Sequence, residues 1–136
     1  MVDTNVLVSG LISTGSPPAL ILDAIRSKQV ILLVSDEVVS EYLRVLEYPQ
    51  IRKYKKITDE GIRDLAVLFI RDTERVEVYS PIKKSKDPDD DKFLSLAIEG
   101  KAHFIVTGDK ADLLSLKKMN QIPIITARQA VESLKL

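Results

Sequence analysis

The stretch Phe104-Ile105-Val106-Thr107-Gly108-Asp109 joins a run that is apolar on both faces to an acid at its carboxyl end. A strand of that kind has to be covered on both sides, the condition met in a parallel sheet flanked by helices. Two more runs share the property, Val30-Ile31-Leu32-Leu33-Val34 and Ile122-Pro123-Ile124-Ile125. Pro123 has no N–H to give to a ladder, which marks the last run as an edge strand. Val76-Glu77-Val78-Tyr79 alternates instead, as a half-exposed strand does.

Helical patterns lie between these runs. Ser16 is placed to cap a helix with Pro17 at its first position and Leu20, Ile21, Ala24 and Ile25 on one face. Ser35 is placed to cap the next, whose apolar stripe is Val38, Val39, Tyr42, Leu43 and Leu46 and which stops near Pro49. Thr58 opens a third, with Ile57 and Ile62 as a hydrophobic staple and Leu65, Ala66, Phe69 and Ile70 facing inward. Phe93, Leu94, Ala97 and Ile98 mark a fourth, ended by Gly100 as its C-terminal cap. A short helix is expected over 111–118, and Thr126 caps a last one. The stretches 48–57 and 80–90 read as lysine-rich loops. Strands alternating with helices over 136 residues predict one α/β domain, residues 1–136, with a mostly parallel sheet. Only Met1 and Val2 precede Asp3, so the first strand is either a stub or lacks residues upstream.

Composition narrows the chemistry. Apolar residues make up 45% and charged residues 29%, the balance of a globular protein with a buried core. No run of about 18 apolar residues exists, so no membrane span is expected, and without a basic-then-apolar leader the expected location is the cytoplasm. The absence of cysteine removes disulfides, thiolate metal sites and cysteine nucleophiles together. The lone histidine, His103, cannot supply the paired acid and base that cleavage through an RNA 2′-hydroxyl wants, and it reads as a turn residue before its strand. Twenty acidic and twenty basic residues cancel, so the chain is no polycation that coats nucleic acid.

Catalysis is therefore left to carboxylates, hydroxyls, lysines and a metal. In open α/β sheets, sites form beyond the carboxyl ends of the strands. Asp3 follows the first strand in Val2-Asp3-Thr4-Asn5, and Asp109 follows the strand that ends in Thr107. With Val38 as zero and ~100° per residue, the apolar stripe of its helix spans roughly 0–140° and Glu41 lies at about −60°. Glu41 thus flanks the buried face, while Glu37 turns toward solvent. A fourth acid comes from Asp87-Pro88-Asp89-Asp90-Asp91, directly before the Phe93 helix. Carboxylates that converge repel unless a cation joins them. An all-oxygen donor set favours Mg²⁺ or Mn²⁺, ions that activate water and offset charge on a phosphodiester. Each acid alone also has a structural reading, as a loop cap, a solvated residue or a favourable charge in a helix's first turn.

Val2-Asp3-Thr4-Asn5-Val6-Leu7-Val8-Ser9, Glu41, Asp87-Pro88-Asp89-Asp90-Asp91-Lys92-Phe93-Leu94 and Val106-Thr107-Gly108-Asp109 resemble, in order and spacing, the successive motifs of PIN domains. The nearest likeness is to the toxin–antitoxin nucleases related to the VapC toxins. The resemblance implies a three-layer α/β fold, with a five-stranded parallel sheet of order 3-2-1-4-5 between helices and the acids gathered over its centre. It implies a metal-dependent endoribonuclease acting on single-stranded RNA, an antitoxin protein as partner, and a homodimer. Carried over by position, Asp3, Glu41 and Asp109 match metal-site acids, and Asp91 matches the acid that starts the fourth-motif helix, with Asp90 its near competitor. Thr107 resembles the hydroxyl that orients the site and Asn5 a polar supporter of Asp3. The short first strand departs from the pattern.

Arg52, Lys53, Lys55 and Lys56, around Tyr54, suit a phosphate backbone with a base stacked on the ring, and they equally suit a solvated loop. Three other functions fit less well. A Mg²⁺-dependent phosphatase would want a second aspartate where Asn5 stands, and a phosphoacceptor receiver would want paired acids after the first strand. A non-catalytic RNA-binding or antitoxin-binding module would not need the full acid set.

Overall fold

Four hydroxyl side chains start four helices where the sequence places them. Ser16, Ser35, Thr58 and Thr126 each accept from the N–H three residues on, those of Ala19, Val38, Gly61 and Gln129. At Thr126 the bond is reciprocal, because Gln129 Oε1 accepts from the Thr126 N–H at 2.9 Å. The structure is a computed structural model that describes residues 1–83, 88–108, 118–119 and 121–136. Along the chain run α1 (Thr4–Ile12), α2 (Pro17–Arg26), β1 (Leu32–Val34), α3 (Asp36–Leu46), α4 (Pro49–Arg52) and α5 (Asp59–Arg71). Then follow β2 (Thr73–Arg75), α6 (Pro88–Glu99), β3 (Ile105–Thr107), β4 (Lys118–Met119), β5 (Ile122–Thr126) and α7 (Ala127–Leu134).

The fold is α/β with short, mostly parallel strands. β1 pairs with β2 and β3 with β5, both in parallel, and β4 adds to β5 antiparallel. The first residues lie extended alongside β3. Met1 donates to the Phe104 carbonyl at 3.1 Å, Val106 N–H to Met1 at 2.8 Å and Asp3 N–H to Val106 at 2.9 Å. That segment forms only an isolated parallel bridge, Val2 to Val106. Among the described residues the ladders are therefore two, β1-β2 and β3-β5-β4, and a continuous five-stranded sheet is not formed.

Helices cover these ladders. α6 packs on β1, α5 on β2, and α7 on β3 and β5, while α1 packs against α2, α3 and β3. Leu32 to Val34 and Ile105 to Thr107 are buried throughout, as runs apolar on both faces require. The core joins them to Val6, Leu7, Ile21, Ile25, Val38, Tyr42, Leu46, Leu65, Phe69, Phe93 and Leu94.

Several expectations need correction. The strand expected at 76–79 lies earlier, at Thr73–Arg75, because Val34 takes its last ladder bond from the Val76 N–H at 2.8 Å. The chain then leaves the sheet, and the N–H groups of Tyr79 and Ser80 both reach Glu99 Oε1 at 3.3 Å. Ile70 is 79% exposed and does not face inward; Leu65 and Phe69, one turn apart, carry the buried side of α5. Pro123 is not at an open edge, because it pairs with Lys118 of β4. The expected loop 48–57 contains α4, started by Pro49. Gly100 is not the left-handed residue after α6. Lys101 takes that conformation, with φ 53°, and Gly100 serves a close approach, since a Cβ there would lie 2.8 Å from Leu33. The helix expected over 111–118 falls outside the described residues except at Lys118, which is in β4.

Candidate active site

The carboxyl ends of the Met1–Asp3 segment and β3 lie side by side because the two run parallel. Asp3 and Thr107 therefore meet. Asp3 is fully buried and is the N-cap of α1, an unforeseen helix, with Oδ1 accepting from the Val6 N–H at 3.0 Å. Its Oδ2 accepts from the Thr107 hydroxyl and from the Gly108 N–H, the latter at 3.4 Å. The positive end of α1 and these donors offset the cost of burying a carboxyl group.

Glu41 reaches the same region from α3. Its side chain is 11% exposed, while Glu37 is open to solvent, as the helical angles predict. Both carboxylate oxygens are engaged: the Thr4 hydroxyl donates to Oε2, and Lys92 Nζ donates to Oε1 at 2.8 Å. Arg44 Nη2 stands 3.8 Å from that same Oε1. Next to Glu41, the Tyr42 hydroxyl donates to the Val2 carbonyl, tying α3 to the residue before Asp3. Burial first, then the charges of Asp3 and Glu41, push the Tyr42 phenol well above its ordinary value, so both acids act on one hydroxyl.

Asp90 and Asp91 lie in the first turns of α6. Asp90 is buried and Asp91 half-buried, the latter lining a cavity of about 420 Å³ with Glu37, Ile82, Lys83, Lys92 and Ser95. Asn5 is exposed, and its Cβ lies 3.8 Å from where a Cβ on Gly108 would stand. Asp109 falls outside the described residues. A second cavity of about 410 Å³ opens around the residues that precede β1 and β3, His103 and Phe104 among them, and none of Asp3, Glu41, Asp90 and Asp91 lines it.

The structure thus brings together Asp3 with Thr107, and Glu41 with Thr4 and Lys92. Sequence reasoning missed Thr4, Lys92 and the Gly108 N–H as members. An aspartate followed by Val6, Leu7, Val8 and Leu11 at helical spacing was the signal for α1 and its cap. The donors are of the class that hard divalent cations take, carboxylate oxygens without histidine or cysteine. Among the described residues, no three acids stand close enough to hold one ion. The basic segment is partly committed elsewhere: Arg52 pairs with Asp59, Lys56 donates to the Thr14 hydroxyl, and Lys53 lies 5.9 Å from the Tyr54 ring centre. Lys55 is exposed.

The family model described as PIN domain matches residues 1–111. The chain is also similar to the uncharacterized protein MJ1680 of Methanocaldococcus jannaschii, 32% identical over 121 residues, which are 89% of this chain and 76% of the relative. No solved structure matches the chain.

Proposed function

The chain belongs to the PIN-domain family, whose members are generally nucleases that use divalent metal ions, and from that premise we propose that it is a Mg²⁺- or Mn²⁺-dependent endoribonuclease cutting single-stranded RNA. The observation that carries this reading is the placement of Asp3 and Glu41 beneath the same end of the strands, each held by a threonine hydroxyl. A sheet of order 3-2-1-4-5, with the Met1–Asp3 segment as its central strand, would put Asp90 or Asp91 and Asp109 over that end.

A bound Mg²⁺ or Mn²⁺ supplies a water of lowered pKa and offsets charge on the phosphate. Asp3, Glu41, Asp91 or Asp90, and Asp109 are the residues proposed to hold it. The Thr107 hydroxyl and the Gly108 N–H fix the rotamer of Asp3, and Thr4 fixes that of Glu41. Lys53, Lys55 and Lys56 are proposed to track the RNA backbone, with Arg52 bracing their segment through Asp59. The reading extends to a cytoplasmic toxin of a toxin–antitoxin pair, with 1–136 as one domain. Among the described residues, no single helix is long and apolar enough to cross a membrane.

Thermal melting tests the metal arm. Mn²⁺ is expected to raise the melting temperature by relieving repulsion among the acids, and Asp3→Asn to abolish the rise. A melt indifferent to Mn²⁺ in the unaltered chain contradicts the site.

A further inference from the structure

Lys92 has no part in the reading above, yet it makes the most consequential contact of Glu41. The lysine is 13% exposed and the glutamate 11%, and their atoms are 2.8 Å apart. A carboxylate so buried is costly without a cation or a full set of donors. Thr4 fills one oxygen and Lys92 the other, so the chain's own donors satisfy both. Arg44 adds little to this balance, being 3.8 Å away and 61% exposed.

We propose that Lys92 is the resident counter-cation of Glu41, a positioning residue that holds Oε1 in the metal-free chain and yields it when a divalent cation binds. The inference rests on the proposed function and adds an exchange to it. An ammonium and a divalent ion on one carboxylate oxygen repel strongly at such separations in a buried setting. Thr4 keeps its hold on Oε2, so Glu41 stays in place while its second partner changes. The lysine stem is flexible and its head is a strongly hydrated point charge, which makes it a partner that can leave. Beside it lies the cavity it lines with Lys83, a space in which a released ammonium can meet an RNA phosphate.

Metal-free melting and Mn²⁺ titration calorimetry on the full chain test this, with Lys92→Met, Glu41→Gln and the double variant. Without metal, Lys92→Met is expected to melt below the unaltered chain, and adding Glu41→Gln to restore the loss, because a neutral amide needs no cation. With Mn²⁺, Lys92→Met is expected to bind about tenfold more tightly, since no charged hydrogen bond has to be displaced. Should Lys92→Met fail to fold, recovery of folding in the double variant reads the same pairing. Failure of Glu41→Gln to restore the Lys92→Met loss overturns the proposal. Equal or weaker Mn²⁺ binding by Lys92→Met overturns it while leaving the nuclease reading intact. Absence of Mn²⁺ binding to both proteins removes the nuclease reading together with the exchange.

Discussion

Tyr42 stands where the core meets the acids. Its ring is fully buried, 5.3 Å from the centre of Phe69 and 6.3 Å from that of Phe93, while its hydroxyl reaches the Val2 carbonyl. Its phenol is raised by burial and by Asp3 and Glu41, whereas in the unfolded chain it ionises near 10. The folded state therefore holds the proton more tightly, and the stability this contributes is present below pH 10 and lost as pH rises beyond it. At pH 7, Tyr42→Phe is expected to cost about 1 kcal/mol, the worth of one hydrogen bond. In melts above pH 10 the unaltered chain is expected to lose that advantage, and parallel curves for the two proteins would contradict the assignment. The helical stripe made Tyr42 legible as core and placed Glu41 at its rim. It was silent on what they touch, because Val2 is 40 residues from Tyr42, and Thr4 and Lys92 are 37 and 51 from Glu41. Periodicity reports a residue's own face and carries nothing about partners that far along the chain.

At the scale of elements, helix starts were the most legible feature, since a capping hydroxyl and its N–H are only three residues apart. Helix α1 escaped because Asp3 was weighed as a metal-site acid or a loop cap at a strand end, although it caps a helix. The strand at 73–75 escaped for another reason: Thr73-Glu74-Arg75 has no apolar pattern, and only pairing with β1 makes it a strand. The acidic run before Phe93 divides by position on α6. Asp90 is turned into the protein and Asp91 sits at the cavity rim, whereas Asp87 precedes the helix. Asp91→Asn or Asp90→Asn is expected to lower RNA cleavage by roughly a hundredfold, and Asp87→Asn to leave it nearly unchanged. Equal losses at all three positions would show a diffuse negative charge in place of defined ligands.

At the scale of the whole molecule, the α/β class was legible because three apolar runs needed cover on both faces. Sheet continuity was not, since it depends on a first segment that gives one bridge among the described residues. α5 leaves Val67 47% and Ile70 79% exposed on a helix whose other side is core. A homodimer that covers this face is expected. Light scattering at high micromolar concentration should give twice the chain mass, and Ile70→Lys should return the monomer; a monomeric unaltered chain contradicts the dimer. Hydrolysis by water at a carboxylate-held metal leaves its signature on the ends of a cut RNA. A labelled single-stranded oligonucleotide cleaved in Mg²⁺ or Mn²⁺ is expected to carry 5′-phosphate and 3′-hydroxyl ends, with no cleavage in EDTA or by Asp3→Asn. Cyclic 2′,3′-phosphate ends, or full activity in EDTA, would rule out hydrolysis by a metal-held water.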